Sequence, residues 1–167
     1  LSSQVNQLPL VTTQNPFTVS WSRLDKMGGS VTYDVQYRAG RDGQWVDWLT
    51  DTTQTSAQFG LAQGGKAYYF RSRARMGNTA EPYPDGDGDT YTTVKIVLSG
   101  RVLDNKGRPV NQATVAAAVP DKGVSAASVG TTDGQGSFSL ELPLSGTYEV
   151  AVSKQGFGSL PPKAIGV

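Results

Sequence analysis

Apolar side chains recur at every second position along most of this chain, and no stretch sustains the three-and-four spacing of an amphipathic helix. In Phe17-Thr18-Val19-Ser20-Trp21 the residues Phe17, Val19 and Trp21 fall on one face. Tyr33, Val35 and Tyr37 do the same in the next run, and Tyr68, Phe70, Ser72 and Ala74 in a third. A strand sends successive side chains to opposite faces, so each run reads as a strand with one face in a core and one in water. Between the runs lie Asn15-Pro16, Met27-Gly28-Gly29-Ser30, Gly40-Arg41-Asp42-Gly43 and Gln63-Gly64-Gly65-Lys66, all turn chemistry. Strands and turns at this spacing predict an antiparallel sandwich.

A second set begins near Lys95. Leu98, Gly100 and Val102 alternate, Asp104-Asn105-Lys106-Gly107 turns, and Val110 to Val119 reads as an apolar strand. Asp133-Gly134-Gln135-Gly136 turns into a strand with Phe138, Leu140 and Leu142 inward, and Thr147 to Val152 alternates again. The boundary falls near Thr93/Val94, where one strand ends and Lys95-Ile96-Val97-Leu98 begins the next. No Gly/Ser-rich or Pro-rich linker intervenes, which predicts a stiff pair. The expected fold is all-β: two tandem antiparallel β-sandwiches, residues 1–94 and 95–167, with no significant helix. The 167 residues, 20 of them Gly and 9 Pro, suit two small sandwiches of many short strands.

Several functions are disfavoured by what the chain lacks. It has no Cys and no His, which removes disulfides, thiolate chemistry, histidine triads and most zinc sites. The net charge is +1 and neither half clusters one sign, so nucleic acid is not an expected partner. No apolar run approaches a membrane span. The ends, Leu1 and Gly166-Val167, read as those of a fragment whose partners include neighbouring domains of the same polypeptide.

The first set of strands resembles a fibronectin type III module, an immunoglobulin-like sandwich. The resemblance rests on the strand with Trp21, on Tyr33-Asp34-Val35-Gln36-Tyr37-Arg38, and on the stretch from Leu61 through Gly64-Gly65 to Tyr68-Tyr69-Phe70-Arg71-Ser72-Arg73-Ala74. It implies that Tyr68 clasps a corner, with Leu61 before it and Gln63 where the family has a proline. The second set resembles the carboxypeptidase regulatory-like family, a transthyretin-like sandwich. Ser99-Gly100-Arg101-Val102, Gly107-Arg108-Pro109-Val110, Ala113-Thr114-Val115, Thr132-Asp133-Gly134-Gln135-Gly136-Ser137-Phe138 and Gly146-Thr147-Tyr148 carry it. Such domains are not peptidases. Together the resemblances imply a non-catalytic spacer or interaction module of a larger bacterial secreted or cell-surface protein. The alternative is an accessory module of a secreted hydrolase, gripping an extracellular glycan or protein through Trp45, Trp48, Tyr83 or Tyr91. Lys95 resembles the isopeptide lysine of related adhesin domains, but no Asn follows Asn111 to receive it.

Two clusters are candidate sites. Trp45 and Trp48, three apart, fall on opposite faces of a regular strand, with Arg71 and Arg73 on a nearby strand. They offer either a stacking platform for a sugar or peptide ring, or a structural ladder of interleaved tryptophan and arginine. In the acidic loop, Asp85, Asp87 and Asp89 alternate with glycines, an arrangement that suits a hard, oxygen-loving cation such as calcium. Position twelve counted from Asp85 is Ile96, not the Glu of an EF-hand loop.

Overall fold

A computed structural model describes residues 1–120, 127–143, 145–159 and 161–167. The chain divides into two compact units, Leu1–Val94 and Lys95–Val167. No helix occurs among the described residues.

The first unit contains β1 (Ser3–Val5), β2 (Val11–Thr12), β3 (Phe17–Arg23), β4 (Thr32–Ala39), β5 (Val46–Thr52), β6 (Ser56–Phe59), β7 (Ala67–Met76), β8 (Thr79–Ala80) and β9 (Thr90–Val94). One sheet has the order β1-β3-β6; the larger has the order β2-β9-β7-β4-β5, with β8 folded back on β7. Between them lies a core of Phe17, Val19, Trp21 and Phe59 from the small sheet and Tyr33, Val35, Phe70, Ala74 and Val94 from the large one. Phe59 sits at its centre. The rings of Tyr37, Phe70 and Trp48 approach it edge-on at 4.9, 5.0 and 5.2 Å. Edge-to-face contacts of this kind add to the area buried.

Pairing is antiparallel with one exception: β2 runs parallel to β9. The antiparallel expectation holds for the other strand pairs described. The chain leaves β1 on one sheet and reaches β2 on the other without reversing, so it keeps its direction and meets the last strand in parallel. The corner also differs in detail. Tyr68 does clasp it, its hydroxyl accepting the Gln63 N–H at 2.8 Å. Leu61, however, is 57% exposed, and Ala62 fills the space beneath.

The second unit contains β10 (Ile96–Arg101), β11 (Thr114–Ala118), β12 (Ser128–Thr131), β13 (Ser137–Leu142), β14 (Thr147–Ser153) and β15 (Lys163–Gly166). β10 pairs with β13, and the other sheet has the order β12-β11-β14-β15. Leu98, Val115, Ala117, Leu140, Leu142, Tyr148 and Val150 form its core. The single strand expected from Val110 to Val119 begins only at Thr114. Ahead of it the buried Thr132 hydroxyl donates to the Val110 carbonyl at 2.6 Å and accepts the Ala113 N–H at 2.9 Å. A side chain thus satisfies backbone groups that a neighbouring strand would otherwise have bonded. Gln112, in the bend this creates, has a φ of 55°.

Candidate functional site

The β4–β7 register builds the outer face of the large sheet. It sets Asp34 opposite Arg73, Gln36 opposite Arg71 and Arg38 opposite Tyr69. Cross-strand neighbours of this kind are the pairs that interact most directly. Onto this face folds Trp45, just ahead of β5, and from the other side Tyr83 in the β8–β9 connection.

The result is a continuous stack. Tyr91 lies on Tyr69 at 5.0 Å with the planes 21° apart. The Arg38 guanidinium is 5.0 Å from the Tyr69 ring and 4.6 Å from Trp45. Arg71 is 4.2 Å from Trp45 and 4.6 Å from Tyr83, and Arg73 is 4.5 Å from Tyr83. The polar edges are also bonded. Arg71 Nε donates to Gln36 Oε1 at 2.8 Å and its Nη1 to the Pro84 carbonyl at 3.2 Å. Burial lowers the Arg71 pKa and pushes the Tyr83 hydroxyl up to about 12.

Beneath one end lies Asp34, a carboxylate only 1% exposed. It accepts from Arg73 Nε at 2.8 Å, Arg75 Nη1 at 3.1 Å and the Asp51 N–H at 2.8 Å. Burial pulls its pKa upward most strongly, yet these partners together outweigh burial and the net shift is downward. Asp34 was not among the residues singled out by sequence. Its alternation marked it as outward-facing; only the arginines opposite and the chain around β5 bury it.

Trp45 and Trp48 do not form one platform. Trp45 is sandwiched by arginines on the outer face. Trp48 points inward, 6.1 Å from Trp21 and 5.2 Å from Phe59. Trp45 precedes β5, and β5 carries a bulge between Asp47 and Leu49, so the two rings part at the entry to the strand and at the bulge. Arg71 and Arg73 are the rungs that enclose the outer aromatics.

The acidic loop is corrected in the same terms: Asp85, Asp87 and Asp89 do not converge. Asp87 receives Arg38 Nη2 at 2.9 Å and Arg41 Nη2 at 2.8 Å. Asp89 turns inward and accepts the N–H groups of Val5 and Ser72, both at 2.9 Å, joining the two sheets. Asp85 is exposed. No group of three or more acidic side chains suited to a metal occurs among the described residues. The loop's glycine has another use. A Cβ at Gly88 would come within 2.7 Å of the Phe70 carbonyl oxygen and 2.8 Å of Trp45, and its φ is +76°. The loop passes so close beneath Trp45 that only glycine fits.

Glu81 is part-buried and accepts from the Ser3 hydroxyl at 2.6 Å and the Ala74 N–H at 2.7 Å. Glu141 is an exposed partner of Lys95 at 3.6 Å. Asp133 caps its own turn, accepting the Gln135 and Ser137 N–H groups.

A sandwich of these two sheet orders, closed by a tyrosine corner, is an immunoglobulin-like sandwich. Residues 97–167 match the family model of the carboxypeptidase regulatory-like domain. The second unit is thus similar to that family over nearly its whole length, and the first unit has an immunoglobulin-like sandwich fold. Among solved structures it is similar to the FN1–FN3 domains of chicken CNTN1, with 14% identity and a TM-score of 0.39. That match covers 98% of this chain and 65% of the CNTN1 chain. A two-domain fibronectin type III segment of chicken tenascin matches with 19% identity and a TM-score of 0.40, over 96% of this chain and 97% of that one. No curated protein matches the chain.

Proposed function

We propose that the chain is a non-catalytic spacer and interaction module of a larger bacterial protein that is secreted or displayed at the cell surface. The stack on the large sheet carries this reading. Its arginines and most of its aromatics are enclosed by one another rather than offered to a ligand, and three of the sheet's carboxylates, Asp34, Asp87 and Asp89, are held by arginine or backbone donors. Such a surface resists solvent and proteolysis but holds no reactive group free. The ten residues of β7, at roughly 3.3 Å each, make the first unit about 33 Å long, a useful separation between neighbours.

One observation favours a second reading, an accessory glycan- or peptide-binding module. Tyr91 ends the stack and is 38% exposed, presenting part of a ring to solvent. A glycan-array screen of the purified chain separates the two. The spacer reading expects no reproducible binding. Micromolar binding that disappears in Tyr91→Ala would overturn it in favour of the accessory module.

A further inference from the structure

The second unit carries a groove that the spacer reading does not use. It has a volume of 250 Å³ and is lined by Arg101, Val102, Leu103, Val110, Ala113, Val152, Lys154, Phe157 and Gly158. A polar extension runs from Lys154 and Phe157 to Gln112, Thr114 and Ser153. Three features set it apart from an ordinary surface hollow.

Its floor is preformed. Val110 and Ala113 are buried, and the Thr132 hydroxyl pins the backbone of both. Val102 donates to the Gly136 carbonyl and Val110 donates to the Val102 carbonyl, at 2.8 and 3.0 Å. A Cβ at Gly136 would lie 2.5 Å from the Val102 carbonyl oxygen, and its φ is +73°, so the backbones close here only over glycine.

Its walls are apolar and open. Leu103 is 48% and Phe157 51% exposed, and both line the groove.

Its charge is of one sign. Arg101 and Lys154 are the only ionisable residues among those lining the groove and its extension, and neither forms an ion pair among the described residues. Arg101 directs Nε and Nη2 to the Gln135 carbonyl, at 3.1 and 2.9 Å. That fixes the guanidinium and leaves Nη1 without an acceptor among the described residues. Lys154 donates to the Asn111 carbonyl and lies 5.6 Å from the Phe157 ring. Both cations are held at the rim by a carbonyl rather than neutralised by an acid.

We propose that this groove captures the carboxyl-terminal apolar residue of a peptide. The side chain fills the space between Leu103 and Phe157, and the terminal carboxylate meets Arg101 and Lys154. The volume admits about one large side chain, well below what a drug-sized molecule needs. A carboxylate complements two cations held beside apolar surface, and bonds to charged groups are the stronger class. Capture of a chain-end carboxylate is a recurrent mode of peptide recognition.

The test is a nuclear magnetic resonance titration of the isotope-labelled full chain with N-acetyl-glycyl-phenylalanine and, separately, with its carboxyl-terminal amide. The expected result is saturable shifts at Val102, Leu103, Ala113 and Phe157, with the amide about tenfold weaker. Arg101→Gln and Lys154→Gln should each weaken the acid about tenfold and the amide less, narrowing the gap between them, while Lys154→Arg retains binding. Shifts elsewhere, no shifts up to the solubility limit, or equal binding of acid and amide would each overturn the proposal. The acid–amide comparison needs no variant, so a substitution that fails to fold does not spare it. The groove and the stack lie in different units, and either reading can fail alone.

Discussion

Asp34 and Asp89 are both carboxylates withdrawn from water, and their pKa values move in opposite directions. Burial acts first on each. At Asp34 the Asp51 N–H, Arg73 and Arg75 overcome it and the pKa falls below 3.8. At Asp89 the Val5 and Ser72 N–H groups do not overcome burial, the nearby Glu81 adds repulsion, and the pKa rises above 3.8. The signs give opposite pH profiles. The Asp34 contribution is present above 3.8 and is lost as pH falls through its lowered folded value. The Asp89 charge weakens the fold at neutral pH, and stability is regained as pH falls through its raised value toward 3.8. Asp89→Asn should therefore flatten a gain in stability that the parent shows on mild acidification, as measured by urea unfolding at a series of pH values. Asp34→Ala should destabilise the first unit by about 2–4 kcal/mol at pH 7, since it strands two arginines and a backbone donor. A loss below 0.5 kcal/mol would show that water replaces the carboxylate.

Among the elements, β4 and β7 decide most. Their inner residues, Tyr33, Val35, Phe70 and Ala74, are the core; their outer residues are the stack. Arg71 stands between two rings and makes two hydrogen bonds, so Arg71→Ala should lower stability by about 1–2 kcal/mol, measured by denaturant unfolding. Arg71→Lys should recover only part of this, because a point charge on a mobile stem replaces a planar stacking group. Gly88→Ala should be at least as damaging, because it drives a Cβ into the Phe70 carbonyl and the edge of Trp45; the loss of Trp45 burial is visible as a red shift in its fluorescence.

Each unit of the whole molecule has sheets and a hydrophobic core of its own. Fragments 1–94 and 95–167 should each fold cooperatively when expressed alone, with dispersed amide spectra and sigmoidal thermal transitions. A fragment that stays unfolded would show that one core is insufficient by itself. The second unit, with fewer large buried rings, should melt at the lower temperature.

Much of this was legible in the alternation of residues. The long runs that became β3, β4, β7, β13 and β14 each hold their inward side chains where period two puts them, because a sheet with one wet face tolerates no slip of register. The opposite facing of Trp45 and Trp48 agrees with their spacing, but the bulge between Asp47 and Leu49 and the position of Trp45 outside β5 decide it. The short elements did not declare themselves. Ser56–Phe59, Ser128–Thr131 and Lys163–Gly166 carry one or two apolar residues apiece, too few to establish a period, and they become strands because a longer neighbour supplies their hydrogen bonds. Nor could local pattern show where a charge ends up. Three aspartates in alternation look like one site along the chain, but a loop crossing a sheet hands Asp87 to the arginines and Asp89 to the backbone. Sequence by itself determined that this protein folds around two β cores. Only the tertiary structure decided which polar groups those cores would bury, because burial depends on what lies across the sheet rather than on what lies next in the chain.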